Sequence, residues 1–240
     1  TTNLWSNLNF TNKGSFNKVS NTITRFNNNF GTGTFINDVG VTLSVAAGQE
    51  IQFLNTATLN GTISNSGILA FSASCTLNGS LVNSGTWNIN TAPTINLGSS
   101  ISGTGILNVN NSFAIPYDIT FSFNSINNIS EIIGTGKKTY ANGVTINNTN
   151  GTLGGGEHIL SNGAVFNSNT SSVISSTTLT NHGIFNLQSG NVSGVSNNTF
   201  FNNENDGIIN VNALGTNQWT NLNFTNKGIF NKVSNNVLSG

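Results

Sequence analysis

The stretch Leu81-Val-Asn83-Ser-Gly85-Thr-Trp87-Asn88-Ile89 decides the fold. Apolar residues take alternate positions on both sides of Asn83-Ser-Gly85, and a period of two is the mark of a strand with one buried face. Asn and Gly tolerate positive φ, so the stretch reads strand, corner, strand. The same pattern recurs in Phe10-Thr-Asn12-Lys-Gly14-Ser-Phe16-Asn17, Ile63-Ser-Asn65-Ser-Gly67-Ile-Leu69-Ala-Phe71 and Ile101-Ser-Gly103-Thr-Gly105-Ile-Leu107-Asn108-Val109. Further copies are Leu179-Thr-Asn181-His-Gly183-Ile-Phe185-Asn186-Leu187, Asn205-Asp-Gly207-Ile-Ile209-Asn210-Val211 and Phe224-Thr-Asn226-Lys-Gly228-Ile-Phe230-Asn231. Weaker ones centre on Gly33, Gly136 and Gly163.

The anchor glycines fall mostly about 20 residues apart, the signature of a short structural repeat. One such coil has a single apolar row per strand and cannot bury it alone, so coils must stack until the rows form a continuous interior. The expected fold is all-β: a right-handed parallel β-helix, or β-solenoid, of about ten to twelve coils of roughly 20 residues in a single domain over 1–240. Phe16, Leu69, Trp87, Leu107, Phe185, Ile209 and Phe230 are expected to point inward from one sheet. Three residues after the anchor glycine stand Asn17, Asn88, Asn108, Asn186, Asn210 and Asn231, which stacking would align as a ladder of side-chain amides. The competing architecture is an antiparallel sandwich or a set of hairpins, because Asn-Gly occurs at 60–61, 78–79, 142–143, 150–151 and 162–163. In Leu59–Gly67, however, the next corner arrives four residues later, too soon for an ordinary hairpin arm. The region from Phe113 to Gly156 fits the pattern worst and is expected to hold an irregular coil or side loop.

Composition narrows the function. Seven Lys plus Arg against seven Asp plus Glu leave charged residues at 6%, against about 25% in an ordinary domain, so there is no basic patch for nucleic acid or an anionic membrane. No apolar run approaches the roughly 20 residues of a membrane span, so no membrane insertion is expected. The single Cys75 lies at an apolar place of an alternating stretch with no Lys, Arg or His nearby in sequence, and reads as a small buried hydrophobe. Asn-x-Ser/Thr triplets are no more frequent than this Asn, Ser and Thr content produces by chance.

A second, longer repeat is also present. Residues 2–21 recur at 216–235 with only three of twenty positions changed, at a constant offset of 214. The chain therefore reads as slightly more than one period of a tandem or end-to-end array.

The chemistry-bearing residues are few. Glu204 and Asp206 are the only acids close in sequence and form a weak candidate cation pair, though an acidic pair in a polar turn is usually just solvated. Gly154-Gly-Gly156-Glu157-His158 lacks the downstream Lys and Ser/Thr of a phosphate loop and reads as a bend. Two His and one Cys cannot supply a four-ligand zinc site. No catalytic residue, metal or cofactor is expected, and no enzymatic activity. Trp5, Trp219 and Tyr140 are weak candidates for stacking on a sugar, with a core role preferred for the two tryptophans. His182, Asp206 and Lys227 follow the corner Asn in three late copies and are expected to form a surface charge ladder.

The Asn-x-Gly-x-apolar-Asn coils, low charge and duplicated long unit resemble the β-strand repeats of large secreted bacterial surface proteins, the filamentous-haemagglutinin-like and autotransporter-adhesin solenoids. The resemblance covers most of the chain and implies an extracellular or cell-surface, non-enzymatic stalk, sheath or fibre. It brings no functional residues with it. The expected partners are copies of the same chain along the fibre axis. The alternative is a carbohydrate-binding β-helix, an adhesive module or a degenerate polysaccharide-active one, whose partners are glycans.

Overall fold

The computed structural model describes residues 2–20, 22–27, 33–196, 198–212, 217–232 and 238–239. Among them there is no helix, and every described strand pairing is parallel. The fold is an all-β parallel β-solenoid of about 11 turns. It divides into two compact units, Thr1–Ala114 and Ile115–Gly240.

In the first unit the chain visits three sheets in rotation. One sheet takes Ile23–Asn27, Glu50–Leu54, Ile68–Phe71, Thr86–Ile89 and Ile106–Val109 after Thr2–Ser6. The next takes Phe10–Asn12, Thr34–Asn37, Thr56–Leu59, Cys75–Leu77 and Thr94–Ile95, and the third Phe16–Lys18, Thr42–Val45, Thr62–Asn65, Ser80–Asn83 and Ser100–Ser102. The second unit repeats the plan. Its sheets run through Ser125–Asn128 to Ile229–Lys232, Glu131–Ile133 to Leu238–Ser239, and Ile119–Phe121 to Asn223–Asn226. The Asn-Gly steps at 142–143 and 162–163 do form tight turns, with Val144 N donating to Ala141 O (3.2 Å) and Ala164 N to Ser161 O (2.9 Å). They turn a corner instead of reversing the chain, since the strands on either side belong to different sheets.

The interior is built from rows in register. Leu69 lies opposite Trp87 and Trp87 opposite Leu107 in the first unit, while Phe185, Ile209 and Phe230 align in the second. All but Phe230 are fully buried. Phe16 is a correction: it sits in a different sheet from Leu69, opposite Leu43, and is half-buried. The motif specifies a corner without saying which of the three corners it makes, and the copy at Asn12 turns a different one. The region from Ile115 to Gly156 is also more regular than expected, with strands at 119–121, 125–128, 131–133, 138–140, 145–148 and 152–154. Its pattern is obscured because the polar Lys138 and the amphipathic Tyr140 fill inward places.

The glycines at the corners are needed for a reason other than φ. A Cβ on Gly85 would lie 2.1 Å from Gly67 O, and one on Gly105 2.1 Å from Gly85 O. Gly183, Gly207 and Gly228 meet the carbonyls of Ala164, Asn181 and Glu204 at 2.2–2.3 Å in the same way. None of these five has a left-handed φ. Gly14, in the first described coil, has open space instead. Each corner passes so close over the one before it that no side chain fits between.

At most of these corners an Asn turns inward: Asn65, Asn83, Asn181 and Asn203 are buried, Asn226 is exposed, and the corner at Gly105 has Gly103 in place of an Asn. Asn65 Nδ2 donates to Asn83 Oδ1 (2.6 Å) and to Thr86 O (2.9 Å), and Asn83 Nδ2 to Ile106 O (3.1 Å). Asn12 joins Asn37 (2.8 Å), Asn128 joins Asn148 (2.6 Å), and Asn181, Asn203 and Asn226 form a run at 2.7 Å per step. This second, interior ladder ties each coil to the next where the backbone bends away from sheet pairing.

Two substitutions test this packing by urea unfolding. Gly85→Ala is expected to cost about 1–3 kcal/mol by forcing two corners apart. Trp87→Ala is expected to cost about 3–5 kcal/mol as a cavity in the aromatic column between Phe71 and Phe113, whose rings lie 5.4 Å from it on either side.

Candidate functional site

The outward faces of the strands carry the second set of amides. In the second unit Asn147, Asn167, Asn186, Asn210 and Asn231 each donate Nδ2 to the Oδ1 of the Asn one coil before, beginning at Asn127, at 2.9–3.0 Å. In the first unit Asn108 donates to Asn88 (2.7 Å). Asn17 is not part of this array: it stands opposite Ser44 in another sheet, for the same reason that Phe16 does. Asn127, Asn147 and Asn167 belong to the run without standing in a clear copy of the motif. Their signal in the sequence was the dipeptide or tripeptide Ile-Asn-Asn at 126–128 and 146–148 and Phe-Asn at 166–167. Within such a ladder each amide's donor and acceptor meet those of its neighbours, leaving limited capacity for a ligand.

The acidic pair does not converge on a cation. Glu204 accepts from Lys227 Nζ (2.9 and 3.1 Å), and Asp206 accepts from His182 Nδ1 (2.8 Å). The His182 hydrogen bond holds the Asp206 carboxyl below its ordinary range. The anticipated row His182, Asp206, Lys227 is thus corrected to two separate pairs. The buried ladder chooses Asn203, not Asn205, as the corner Asn, so this corner is two residues longer than its neighbours and Glu204, not Asp206, meets Lys227. Among the described residues no three His, Cys, Asp or Glu side chains group as metal ligands.

Tyr140 is a further correction. It is fully buried and its hydroxyl lies 3.0 Å from His158 Nδ1, so it offers no face to a sugar. His158 Nε2 approaches Gly154 O at 3.5 Å. A carbonyl only accepts, which puts the imidazole proton on Nε2 and leaves Nδ1 to accept from the tyrosine. Lys138, opposite His158 in the neighbouring strand, donates to the carbonyls of Gly134 and Gly155. Burial lowers the Lys138 ammonium to about 8 against a smaller opposing effect of Asp118, and burial with the Lys138 charge lowers His158 to about 3. Burial likewise pushes the Tyr140 hydroxyl and the Cys75 thiol up. Cys75, 1% exposed, is packed as a small hydrophobe.

Trp5 and Trp219 are half-buried, each in a triad with two phenylalanines, edge-on throughout for Trp5 and edge-on to Phe224 but tilted against Phe230 for Trp219. Trp5 meets Phe10 and Phe16 at 5.4 and 6.0 Å, and Trp219 meets Phe224 and Phe230 at 4.8 and 6.1 Å. A shallow cleft of about 250 Å³ in the first unit is lined by Thr2, Thr22, Ile23, Gly48, Gln49, Glu50 and Ile68, with one carboxylate and no ring for stacking. No helix among the described residues is long and apolar enough to cross a membrane. Comparison with protein families, with curated proteins and with solved structures finds no match to this chain.

The buried histidine gives the stability a pH dependence. The unfolded chain protonates His158 near 6.5 and the folded chain only near 3, so between these values the unfolded state binds more protons and stability falls as pH drops, by a few kcal/mol at most. Lys138 acts with the same sign between 10.5 and about 8. Urea unfolding at pH 7 and pH 4 is expected to show the acid loss, and His158→Gln to reduce it.

Proposed function

We propose that this chain is a structural, non-enzymatic segment of an extracellular or cell-surface fibre, sheath or adhesin stalk, like the filamentous-haemagglutinin-like and autotransporter-adhesin solenoids its repeats resemble. Its partners are copies of itself along the solenoid axis. The observation that carries the reading is the last full coil, Asn217–Lys232. It repeats the sequence of residues 3–18 at an offset of 214 with three changes and stacks in register on the coil before it, Asn226 opposite Asn203 and Phe230 opposite Ile209. A repeat that adds coil on coil in one register supports a plan extended by further coils of the same kind. The polar groups fit a mechanical role: the amides bind one another along the axis, and Glu204 and Asp206 are paired with Lys227 and His182.

A second reading, glycan recognition, is favoured only by the half-exposed rings of Trp5 and Trp219. The two readings separate in one set of measurements. Light scattering and electron microscopy of the purified chain are expected to show concentration-dependent linear assemblies, and a glycan panel with a turnover assay to show neither binding nor cleavage. A monomer at high concentration, or glycan binding lost in Trp5→Ala, would overturn the structural reading.

A further inference from the structure

We infer that the coil Asn217–Lys232 is a second copy of the edge coil Thr2–Lys18, able to take its seat on the coil Ile23–Val45 of another molecule of this chain. This exchange rests on the axial self-association proposed above and names its contact surfaces.

The first coil meets the second through stacked rings and amide hydrogen bonds. Trp5 lies opposite Phe26 with ring centres 5.5 Å apart, Phe10 stacks on Phe35 at 5.4 Å, and Phe16 lies opposite Leu43. Asn12 donates to Asn37 Oδ1, Asn3 to Thr22 Oγ1 (3.0 Å), and Asn9 Oδ1 accepts from Thr34 N (3.1 Å). Asn7 N donates to Asn27 O (3.0 Å). Every one of these donor residues has an identical counterpart 214 positions on: Asn217, Trp219, Asn221, Asn223, Phe224, Asn226 and Phe230.

The three differences fall elsewhere. Leu4, Ser6 and Ser15, which become Gln218, Thr220 and Ile229, are all exposed. Leu4 and Ser6 stand in the paired strand opposite Arg25 and Asn27 with exposed side chains, so the inward rings and the amides named above are unchanged.

The backbones agree as well. Asn7 and Asn221 both adopt φ 55°, an uncommon left-handed value for a residue other than glycine. Each copy closes the same Trp-Phe-Phe triad. The strand that follows adds in the same register, Asn3 opposite Thr24 and Asn217 opposite Leu238, a step of 21 residues in both. The short strand Leu238–Ser239 therefore stands where Thr24–Arg25 of a second molecule would stand, and it yields a two-residue pairing to a complete three-sided coil. Two nearly identical donors compete for one seat, so exchange between molecules trades like contacts for like and is set by concentration and by the integrity of each donor coil.

Register-specific cross-linking tests the exchange in the full chain. In the seated coil Leu4 lies opposite Arg25, so after exchange Gln218 of one molecule lies opposite Arg25 of another. Neighbouring parallel strands lie about 4.8 Å apart, within reach of a disulfide. Cys75 is buried and stays silent. Separately purified Arg25→Cys and Gln218→Cys proteins, mixed and oxidised, are expected to give a disulfide-linked heterodimer. Gln52→Cys in place of Arg25→Cys, one strand further along, is expected to give none. Adding Trp5→Ala to the Arg25→Cys protein should raise the yield by loosening its own edge coil, and adding Trp219→Ala to the Gln218→Cys protein should abolish it. Linear assemblies by light scattering without the in-register heterodimer, or with equal yield from Gln52→Cys, would overturn the exchange while leaving axial association standing. Monomers without any heterodimer would overturn both.

Discussion

A buried side-chain amide has to find partners for both its oxygen and its nitrogen, and in this protein it draws them from its own corner and from the neighbouring coil. That requirement fixes how coils stack. Asn65, Asn83, Asn181 and Asn203 sit inside the corners with almost no exposure. Asn65, Asn181 and Asn203 each hand their Nδ2 to the amide oxygen of the next Asn and to a backbone carbonyl beyond it, while Asn83, followed one coil on by Gly103, donates to the carbonyls of Gly85 and Ile106. A slip of one residue would turn the amide and the inward apolar residues of its strand to the outer face, so the ladder pins the register of the strands that meet around it. The glycine that closes the corner completes the arrangement, because the preceding corner's carbonyl occupies the place of its side chain.

Once the register is pinned there, variation in coil length has to be absorbed in the turns. Leu69 to Trp87 is a step of 18 residues and Phe185 to Ile209 one of 24, yet both pairs are directly opposite each other. The longer step bulges at Asn203-Glu204-Asn205-Asp206-Gly207, whose two carboxylates meet Lys227 and His182. Polar residues at inward places are handled differently. Lys138, Tyr140 and His158 lie together, with the lysine bound to two backbone carbonyls and the histidine held neutral between a tyrosine hydroxyl and a carbonyl. Such a site is a polar interruption of the core whose groups satisfy one another, and it couples that stretch of the solenoid to pH.

The same economy extends to the outer faces, where amides form ladders along the axis and the acids of the bulge are matched by bases. The coil Asn217–Lys232 follows the same plan, with Asn223–Asn226 and Ile229–Lys232 paired in register to the coil before them.

The sequence by itself determined the architecture, since alternating apolar residues around an Asn-x-Gly corner every 20 residues or so admit parallel coils and little else. It also determined the inward rows around Trp87 and Phe185 and the duplicated edge coil, because those are matters of period and identity, which a linear text records. What it did not determine was which corner a given copy makes. The motif at Asn12 reads like that at Asn83, but Phe16 and Asn17 stand in another sheet, as only the count of residues between corners in three dimensions decides. Nor could it distinguish Asn203 from Asn205 as the corner amide, or reveal that Tyr140 is sealed against His158, since both depend on which coil lies above and below. Local pattern fixes the turn a segment can make. The neighbours it meets after stacking, and therefore whether a polar group is a ligand site or a rung, belong to the tertiary structure alone.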